Sequence, residues 1–107
     1  MYEVIGSPKT RAIRVTWMLR ELDQPYKLTP TFPRDSSLAE LNPSLKVPIL
    51  KDGDDHVIDS VAICQYLADK HQKLTNTAGT IERAQQDSFT QFAIDDVELP
   101  LWVSAKH

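Results

Sequence analysis

The chain has 107 residues, of which 41% are hydrophobic and 25% are charged, and its formal net charge is −3. This length suffices for one domain with a buried core plus a further fragment, and the small scattered charge argues against a nucleic-acid-binding surface. No apolar run is long enough to span a bilayer, and no signal peptide precedes the first predicted strand, so a cytoplasmic location is the default.

The first predicted elements are a strand, a helix and a second strand. Tyr2-Glu3-Val4-Ile5 is rich in strand-forming residues and ends at Gly6-Ser7-Pro8, as a strand closing into a turn does. Segment 26–29 predicts the second strand. Because a helix lies between them, the two strands should be parallel.

The helix between these strands is indicated by apolar residues at helical spacing from Thr10 onward. They are Ala12, Val15, Leu19 and Leu22, and Ile13 and Trp17 widen the apolar face. Trp17 is therefore expected to belong to the core rather than to serve as a stacking platform. Pro25 lies just beyond the last periodic residue, where a helix usually stops.

The next segments predict a hairpin and a further helix. Residues 34–41 are expected to form a short irregular helix, and Asn42-Pro43 is a turn signal. Residues 47–50 and 56–58 predict an antiparallel pair, because the Asp-Gly dipeptide in the loop 51–55 is a strong hairpin signal. Ser60 is expected to cap the helix that follows. The whole order predicts a mixed sheet flanked by helices.

The last third of the chain predicts a linker and one more helix. Residues 73–80 are polar, and apolar residues recur at helical spacing from Thr80 toward Pro100, where the helix should kink or end. This apolar face cannot be buried by its own helix. It should pack on the first domain, on further sequence, or on another subunit.

Two short segments predict a binding site for a small peptide. Pro48 cannot donate to a sheet ladder, and such a bend, often with a cis peptide bond, turns the N–H and carbonyl of Val47 outward. An extended ligand could then pair with them as an added strand. Asp59 and Ser60 place a carboxylate and a hydroxyl at a helix N-terminus, where anions are favoured. Together these features suit a ligand with a free amine and carboxylates.

The motifs, taken as a set, resemble the N-terminal part of a glutathione S-transferase of the bacterial, serine-type kind. The matching residues begin with Gly6-Ser7-Pro8-Lys9-Thr10-Arg11 and the first helix, and include Pro25-Tyr26. They continue with Asn42-Pro43-x-x-Lys46-Val47-Pro48-x-Leu50 and Asp59-Ser60-x-Ala62-Ile63-x-x-Tyr66-Leu67. Each motif alone is weak, but their order and separation are specific.

The resemblance implies an α/β fold with two parts. Residues 1–75 would form a thioredoxin-like glutathione-binding domain, βαβαββα, with a mixed four-stranded sheet. Residues 76–107 would be a linker and the first helix of a truncated all-α domain. The resemblance also implies a homodimer, a detoxification role, glutathione as substrate, and a small hydrophobic electrophile as co-substrate.

The resemblance assigns roles to seven residues. Ser7 would donate a hydrogen bond to the glutathione sulfur, with Thr10 as the second candidate for that role. The others would bind glutathione. Asp59 meets the γ-glutamyl ammonium, Ser60 the γ-glutamyl carboxylate, Lys46 the glycyl carboxylate, and Val47, in the bend at Pro48, the cysteinyl backbone. Most relatives have Glu or Gln in place of Asp59.

Other reactive side chains have less specific interpretations. Cys64, the only cysteine, is expected to be a small core residue and allows no disulfide or Cys-x-x-Cys pair. The three histidines, His56, His71 and His107, lack metal-ligand spacing, so no metal is expected.

Three functional hypotheses remain open at this point. The leading one is a glutathione transferase. The second is a truncated, non-catalytic module that binds glutathione or a partner, since most of the second domain is not represented. The third is a thioredoxin-like fold without a ligand. Membranes and nucleic acids are expected in none of them.

Overall fold

The protein is described by a computed structural model, which covers residues 1–98, with the side chain of Val97 left out. Its contacts divide the chain into two compact units, Met1–His71 and a second unit that begins at Gln72. The first unit contains the strands β1 (Tyr2–Ile5), β2 (Tyr26–Thr29), β3 (Ile49–Asp52) and β4 (Asp55–Ile58). It also contains the helices α1 (Ala12–Glu21) and α2 (Ser60–His71), and the 3-10 helix Ser36–Leu38.

The four strands form one mixed sheet in the order β2-β1-β3-β4. β1 and β2 are parallel, whereas β1 and β3, and β3 and β4, are antiparallel. The parallel pair, the hairpin and the thioredoxin-like order predicted from the sequence are therefore confirmed. A single 3-10 turn, Ser36–Leu38, takes the place of the irregular helix predicted over residues 34–41.

Successive side chains of a strand point to opposite faces of the sheet; here one face is covered by helices, and the other is covered in part. One face packs against α1 and α2; its buried residues are Tyr2, Val4, Ala12, Val15, Leu19, Leu22, Leu50, Ile63 and Leu67. The other face carries Ile5 and Ile49, which pack with Leu38 of the 3-10 helix. The helices and the loop after β2 are thereby fixed against the sheet from both sides.

The buried stripe of α1 is narrower than predicted. Ala12, Val15 and Leu19 are at most 1% exposed, as expected, but Ile13 and Trp17 are 51% and 65% exposed. The prediction that Trp17 belongs to the core is wrong. Its indole Nε1 donates to Glu21 Oε1 at 3.1 Å along the outer surface of the helix.

Two predicted boundaries also change. The strand expected from Val47 begins at Ile49, because Val47 and Pro48 belong to the bend before it. The hairpin loop is shorter than residues 51–55, since Asp52 and Asp55 are paired and only Gly53 and Asp54 connect them. Gly53 has φ of 64°, a left-handed conformation that glycine adopts at little cost.

The second unit contains α3 (Ile81–Phe92) and a π-helical segment, Ala93–Glu98. Thr80 caps α3, because its side chain accepts a hydrogen bond from the Arg83 N–H at 3.2 Å. The predicted break at Pro100 lies outside the described residues. The division into domains 1–75 and 76–107 stays a prediction.

The apolar face predicted for α3 is solvent-exposed. Ile81, Phe89 and Phe92 are 67%, 74% and 56% exposed, and no residue of α3 is buried. Within residues 1–98, no helix is both long enough and apolar enough to cross a lipid bilayer.

Candidate functional site

The sheet register brings the predicted site segments to one edge. Ile5, Ile49 and Ile58 lie opposite one another across β1, β3 and β4. Gly6-Ser7 follows Ile5, Val47-Pro48 precedes Ile49, and Asp59-Ser60 follows Ile58. Because neighbouring strands are only about 4.8 Å apart, the three segments leave the sheet side by side.

The close approach of the first turn to the Pro48 bend depends on Gly6. A Cβ atom at Gly6 would lie 3.6 Å from the Val47 Cβ and 3.7 Å from the Pro48 Cα. It would also lie 2.6 Å from the Ala12 Cβ, a separation that real side chains do not adopt. Gly6 therefore lets the end of β1, the start of α1 and the Pro48 bend meet.

Ser7 and Thr10, the two candidate catalytic residues, are joined by hydrogen bonds. The Thr10 hydroxyl donates to the Ser7 carbonyl at 2.6 Å and accepts from the Ala12 N–H at 3.2 Å. The Ser7 residue is 4% exposed, and its Oγ accepts from the Lys9 N–H at 3.2 Å. None of the described residues accepts a hydrogen bond from the Ser7 hydroxyl.

The Val47–Pro48 peptide bond is cis, as the sequence suggested. Neither the N–H nor the carbonyl of Val47 is hydrogen-bonded to any residue that the structure describes. Both are available to an extended ligand. Lys46 is exposed at the same bend.

A buried asparagine holds the loop that leads into this bend. Asn42 is 5% exposed, and its Nδ2 donates to the Lys46 carbonyl at 3.2 Å. Its Oδ1 accepts from the N–H and the hydroxyl of Ser44, at 3.1 and 2.7 Å. Asn42 thus uses both ends of its amide to fix the backbone just before Val47.

Asp59, rather than Ser60, caps α2, so the predicted capping role of Ser60 is wrong. The Asp59 Oδ1 accepts hydrogen bonds from the N–H groups of Val61 and Ala62 at 2.9 and 3.3 Å. Asp59 has φ of 77° and is exposed. The second carboxylate oxygen, Oδ2, makes no hydrogen bond to the described residues and can face a ligand cation.

Ser60 is the first residue of α2 and is 6% exposed. Its Oγ accepts a hydrogen bond from the Arg14 Nη1 of α1 at 3.3 Å. The first two residues of the α2 region therefore present a carboxylate, a hydroxyl and a nearby guanidinium at one point. This combination suits the head group of an amino acid, which carries one positive and one negative charge.

Cys64 lies one turn further along α2 and is half-buried against the core, as predicted. Burial raises the pKa of its thiol, an effect that the positive charge of Arg14 partly opposes. Its Sγ–H points to the Arg14 carbonyl at 3.7 Å. Among the described residues, no cluster of three or more His, Cys, Asp or Glu side chains could hold a metal ion.

Three residues of this site were missed by sequence reasoning: Gly6, Asn42 and Arg14. Gly6 and Asn42 stood in recognised turn signals, so their turn chemistry was visible but not their contacts. Arg14 belonged to the polar face of α1, and its partner Ser60 is 46 positions away. No local pattern predicts a contact across that separation.

A family profile described as "Glutathione S-transferase, N-terminal domain" matches residues 1–76. A search of curated proteins found no match. Among solved structures, a glutathione transferase homolog from Drosophila mojavensis with bound glutathione is 28% identical, with a TM-score of 0.75. It covers 88% of this chain, which spans 47% of that protein.

Two further solved structures show the fold at lower identity. A theta-class glutathione S-transferase from Xanthomonas axonopodis pv. citri with glutathione bound is 23% identical, with a TM-score of 0.77. The match covers 88% of this chain and 48% of that protein. A Tau-class glutathione S-transferase from mango, Mangifera indica, is 18% identical, with a TM-score of 0.81. The match covers 99% of this chain and 51% of that protein.

The chain therefore spans about half the length of the solved structures that it matches. The profile match covers more than half of the 107 residues, and the sheet order and the helices agree with the thioredoxin-like fold of these structures. On this basis, the chain belongs to the glutathione S-transferase N-terminal domain family.

Proposed function

We propose that the chain is the glutathione-binding part of a glutathione S-transferase of the bacterial, serine-type kind. It binds glutathione, stabilises the thiolate through Ser7, and the thiolate then attacks a small hydrophobic electrophile. An ordinary thiol has a pKa near ~8.5 and is mostly protonated at neutral pH. A hydrogen bond donated to the sulfur favours the charged, nucleophilic form.

One observation carries the choice of Ser7 over Thr10. The Thr10 hydroxyl proton is committed to the Ser7 carbonyl at 2.6 Å, so it cannot also point to a ligand sulfur. The Ser7 Oγ accepts from the Lys9 N–H, and no described residue takes its proton. Ser7 is therefore the donor, and Thr10 holds the backbone of the turn that carries it.

The remaining five residues bind the peptide. The Val47 N–H and carbonyl, left without partners among the described residues, pair with the cysteinyl unit of glutathione in the bend at Pro48. Asp59 meets the γ-glutamyl ammonium through its Oδ2, and Ser60 meets the adjacent carboxylate. Lys46, exposed at the bend, approaches the glycyl carboxylate.

Ser7→Ala and Thr10→Val separate the two hydroxyl roles. Ser7→Ala should lower the conjugation rate about a hundredfold, as the loss of one donor to a developing anion typically does. Thr10→Val should change the rate less and mainly lower stability, by about 1 kcal/mol, because it removes a cap-like hydrogen bond. The measurements are conjugation kinetics, glutathione Kd, and the ultraviolet absorbance of the bound thiolate.

Thr10→Ser, which keeps the hydroxyl, is the matched control. If Ser7→Ala kept the thiolate absorbance and the rate while Thr10→Val lost both, the assignment of Ser7 would be wrong.

A second candidate is a non-catalytic module that binds glutathione or another partner. Binding of glutathione without conjugation of a generic electrophile in the 107-residue chain would support the module. The homodimer, the detoxification role and the cytoplasmic location stay predictions.

A further inference from the structure

Arg14 reaches from α1 to the buried start of α2. Its Nη1 donates to the Ser60 Oγ at 3.3 Å, and the Ser60 residue is 6% exposed, so the contact is sheltered from water at its α2 end. The two residues are 46 positions apart in the chain. The same side of α1 is tied to α2 at a second point, where the Cys64 Sγ lies 3.7 Å from the Arg14 carbonyl.

This contact determines what the Ser60 hydroxyl can do. A serine hydroxyl has one proton to donate and two lone pairs to accept with. The Arg14 guanidinium, which is a donor only, occupies one lone pair and thereby leaves the proton directed away from it. No described residue accepts that proton. The Ser60 hydroxyl is thus oriented to donate to an external acceptor.

The charges around Ser60 indicate which acceptor fits. Arg14 is positive, whereas Asp59, the preceding residue, is negative and exposed. The N-terminus of α2 adds partial positive charge. An anionic oxygen beside Ser60 and a cationic amine beside Asp59 satisfy both charges, and the two groups are adjacent in the head group of an amino acid.

We propose that Arg14 is a positioning residue for the γ-glutamyl α-carboxylate: its guanidinium orients the Ser60 hydroxyl toward that carboxylate and supplies the neighbouring positive charge. The proposal rests on the proposed glutathione site. Through Arg14, the site selects a ligand whose amine and carboxylate are on the same carbon. A γ-linked peptide that lacks the free α-carboxylate would lose this recognition.

The experiment compares two ligands on four proteins. The ligands are glutathione and its analogue in which the γ-glutamyl α-carboxylate is an amide. The proteins are the native chain, Arg14→Gln, Arg14→Lys, and Arg20→Gln, which removes the same charge from an exposed position of the same helix. Kd is measured by calorimetry, and circular dichroism during thermal unfolding checks that each variant is folded.

The native chain and Arg20→Gln should bind glutathione about tenfold more tightly than the amide, as expected for a hydrogen-bonded charge pair. Arg14→Gln should bind both ligands about equally, and Arg14→Lys should regain part of the preference because it keeps the charge. If Arg14 had only a structural role, Arg14→Gln would weaken the binding of both ligands equally and leave the ratio of their two Kd values unchanged.

An unchanged ratio in Arg14→Gln would therefore overturn the role of Arg14 while the glutathione site stands. If the native chain bound neither ligand, the proposed function would fail together with this inference. The two failures are distinguished by the native protein alone.

Discussion

At the scale of single residues, Asp59 has one observed role, capping α2, and one proposed role, binding the ligand amine. Oδ1 caps α2 through the N–H groups of Val61 and Ala62, and Oδ2 is left for a ligand. The backbone at Asp59 has φ of 77°, a region that Asp and Asn enter more readily than other non-glycine residues. The backbone conformation therefore favours a short polar side chain here, one whose oxygen also caps the helix.

Substituting Asp59 separates these tasks. Asp59→Asn keeps a capping oxygen and tolerates the positive φ, so stability should change by no more than about 0.5 kcal/mol. Because the negative charge is lost, glutathione Kd should rise about tenfold. Asp59→Ala should raise Kd similarly and also cost about 1–2 kcal/mol of stability, since it loses the cap.

Chemical denaturation and calorimetry measure the two effects. Equal glutathione affinity of Asp59→Asn and the native chain would show that the charge of Asp59 does not contact the ligand amine.

Some residues of the candidate site could be predicted from the local sequence, and others could not. Lys46-Val47-Pro48 and Asp59-Ser60 were recognisable because proline restricts its own backbone, and because a capping side chain bonds to N–H groups only two or three residues further on. The assignment of the cap to Ser60 was wrong because capping depends on which residue leaves the helical conformation, and that is Asp59. The Arg14 contact with Ser60 arises only after two helices pack, so it could not be read locally.

At the scale of elements, the start of α1 is packed directly on the end of β1. The missing side chain of Gly6 leaves room for Ala12, whose Cβ would lie 2.6 Å from a Cβ at residue 6. The same gap admits the bend at Pro48, 3.7 Å from that position. Two elements and a loop thus share one small space beside Ser7.

A double-mutant cycle at Gly6 and Ala12 tests this packing. Gly6→Ala should destabilise the protein by about 1–3 kcal/mol through overpacking. Ala12→Gly should cost about 1 kcal/mol, because glycine disfavours the helix. In the double variant the clash is removed, so the loss should be clearly smaller than the sum of the two.

Urea denaturation of the four proteins provides the numbers. Additive losses would mean that the two side chains do not share the space, and that Gly6 is required for another reason.

The geometry of helix α1 explains why the prediction that Trp17 belongs to the core was wrong. Ile13 and Trp17 follow the buried residues Ala12 and Val15 by one or two positions, which places them about 100–200° around the helix from those residues. Periodicity identifies apolar positions but not which of them meet the sheet. The 65% exposure of Trp17 shows that this residue lies outside the stripe of α1 that faces the sheet.

At the scale of the whole molecule, the end of the sheet away from the site is held by polar contacts. Tyr2, Asp52 and Asp55 form the last row of paired residues there. The Asp52 carboxylate accepts from the Lys70 Nζ at 2.8 Å and from the Tyr66 hydroxyl, both on α2. Lys70 also lies 5.0 Å from the centre of the Tyr2 ring. The hairpin β3–β4 is thereby fastened to the C-terminal end of α2.

These contacts make stability depend on pH. The hydrogen bond from Lys70, and then that from Tyr66, lower the pKa of Asp52 below its ordinary value of 3.8. Asp52 therefore contributes stability above about pH 4, and that contribution is lost as the pH falls through the lowered pKa. Because the pair is partly exposed, the effect should be a fraction of a kcal/mol.

The urea midpoint, measured between about pH 2 and pH 6, should fall less steeply on acidification for Asp52→Asn than for the native chain. Asp54→Asn, at the exposed turn of the same hairpin, is the control. Identical acid dependence in Asp52→Asn and the native chain would show that this ion pair does not stabilise the folded state.

The overall topology was predictable to an unusual degree. A helix between two strands requires a parallel pair, and the Asp52-Gly53 turn signal requires an antiparallel one, so the mixed sheet followed from chain connectivity. The covering of the second sheet face by Leu38 was not predictable. The segment around Leu38 carries no periodic pattern, and its position is determined only by packing against the sheet.

The shared row of Ile5, Ile49 and Ile58 makes the spacing of the candidate site a property of strand register. The loop between β2 and β3 can gain or lose residues at its surface without moving Pro48 relative to Ser7, because β3 is anchored on β1. A shift of β3 by one residue would turn Ile49 and Leu50 to the wrong faces and carry the Pro48 bend about 3.4 Å along the sheet. The hydrophobic alternation of the four-residue strand β3 thus sets the distance between Ser7 and the backbone proposed to bind the peptide, although none of the proposed ligand contacts lies on that strand.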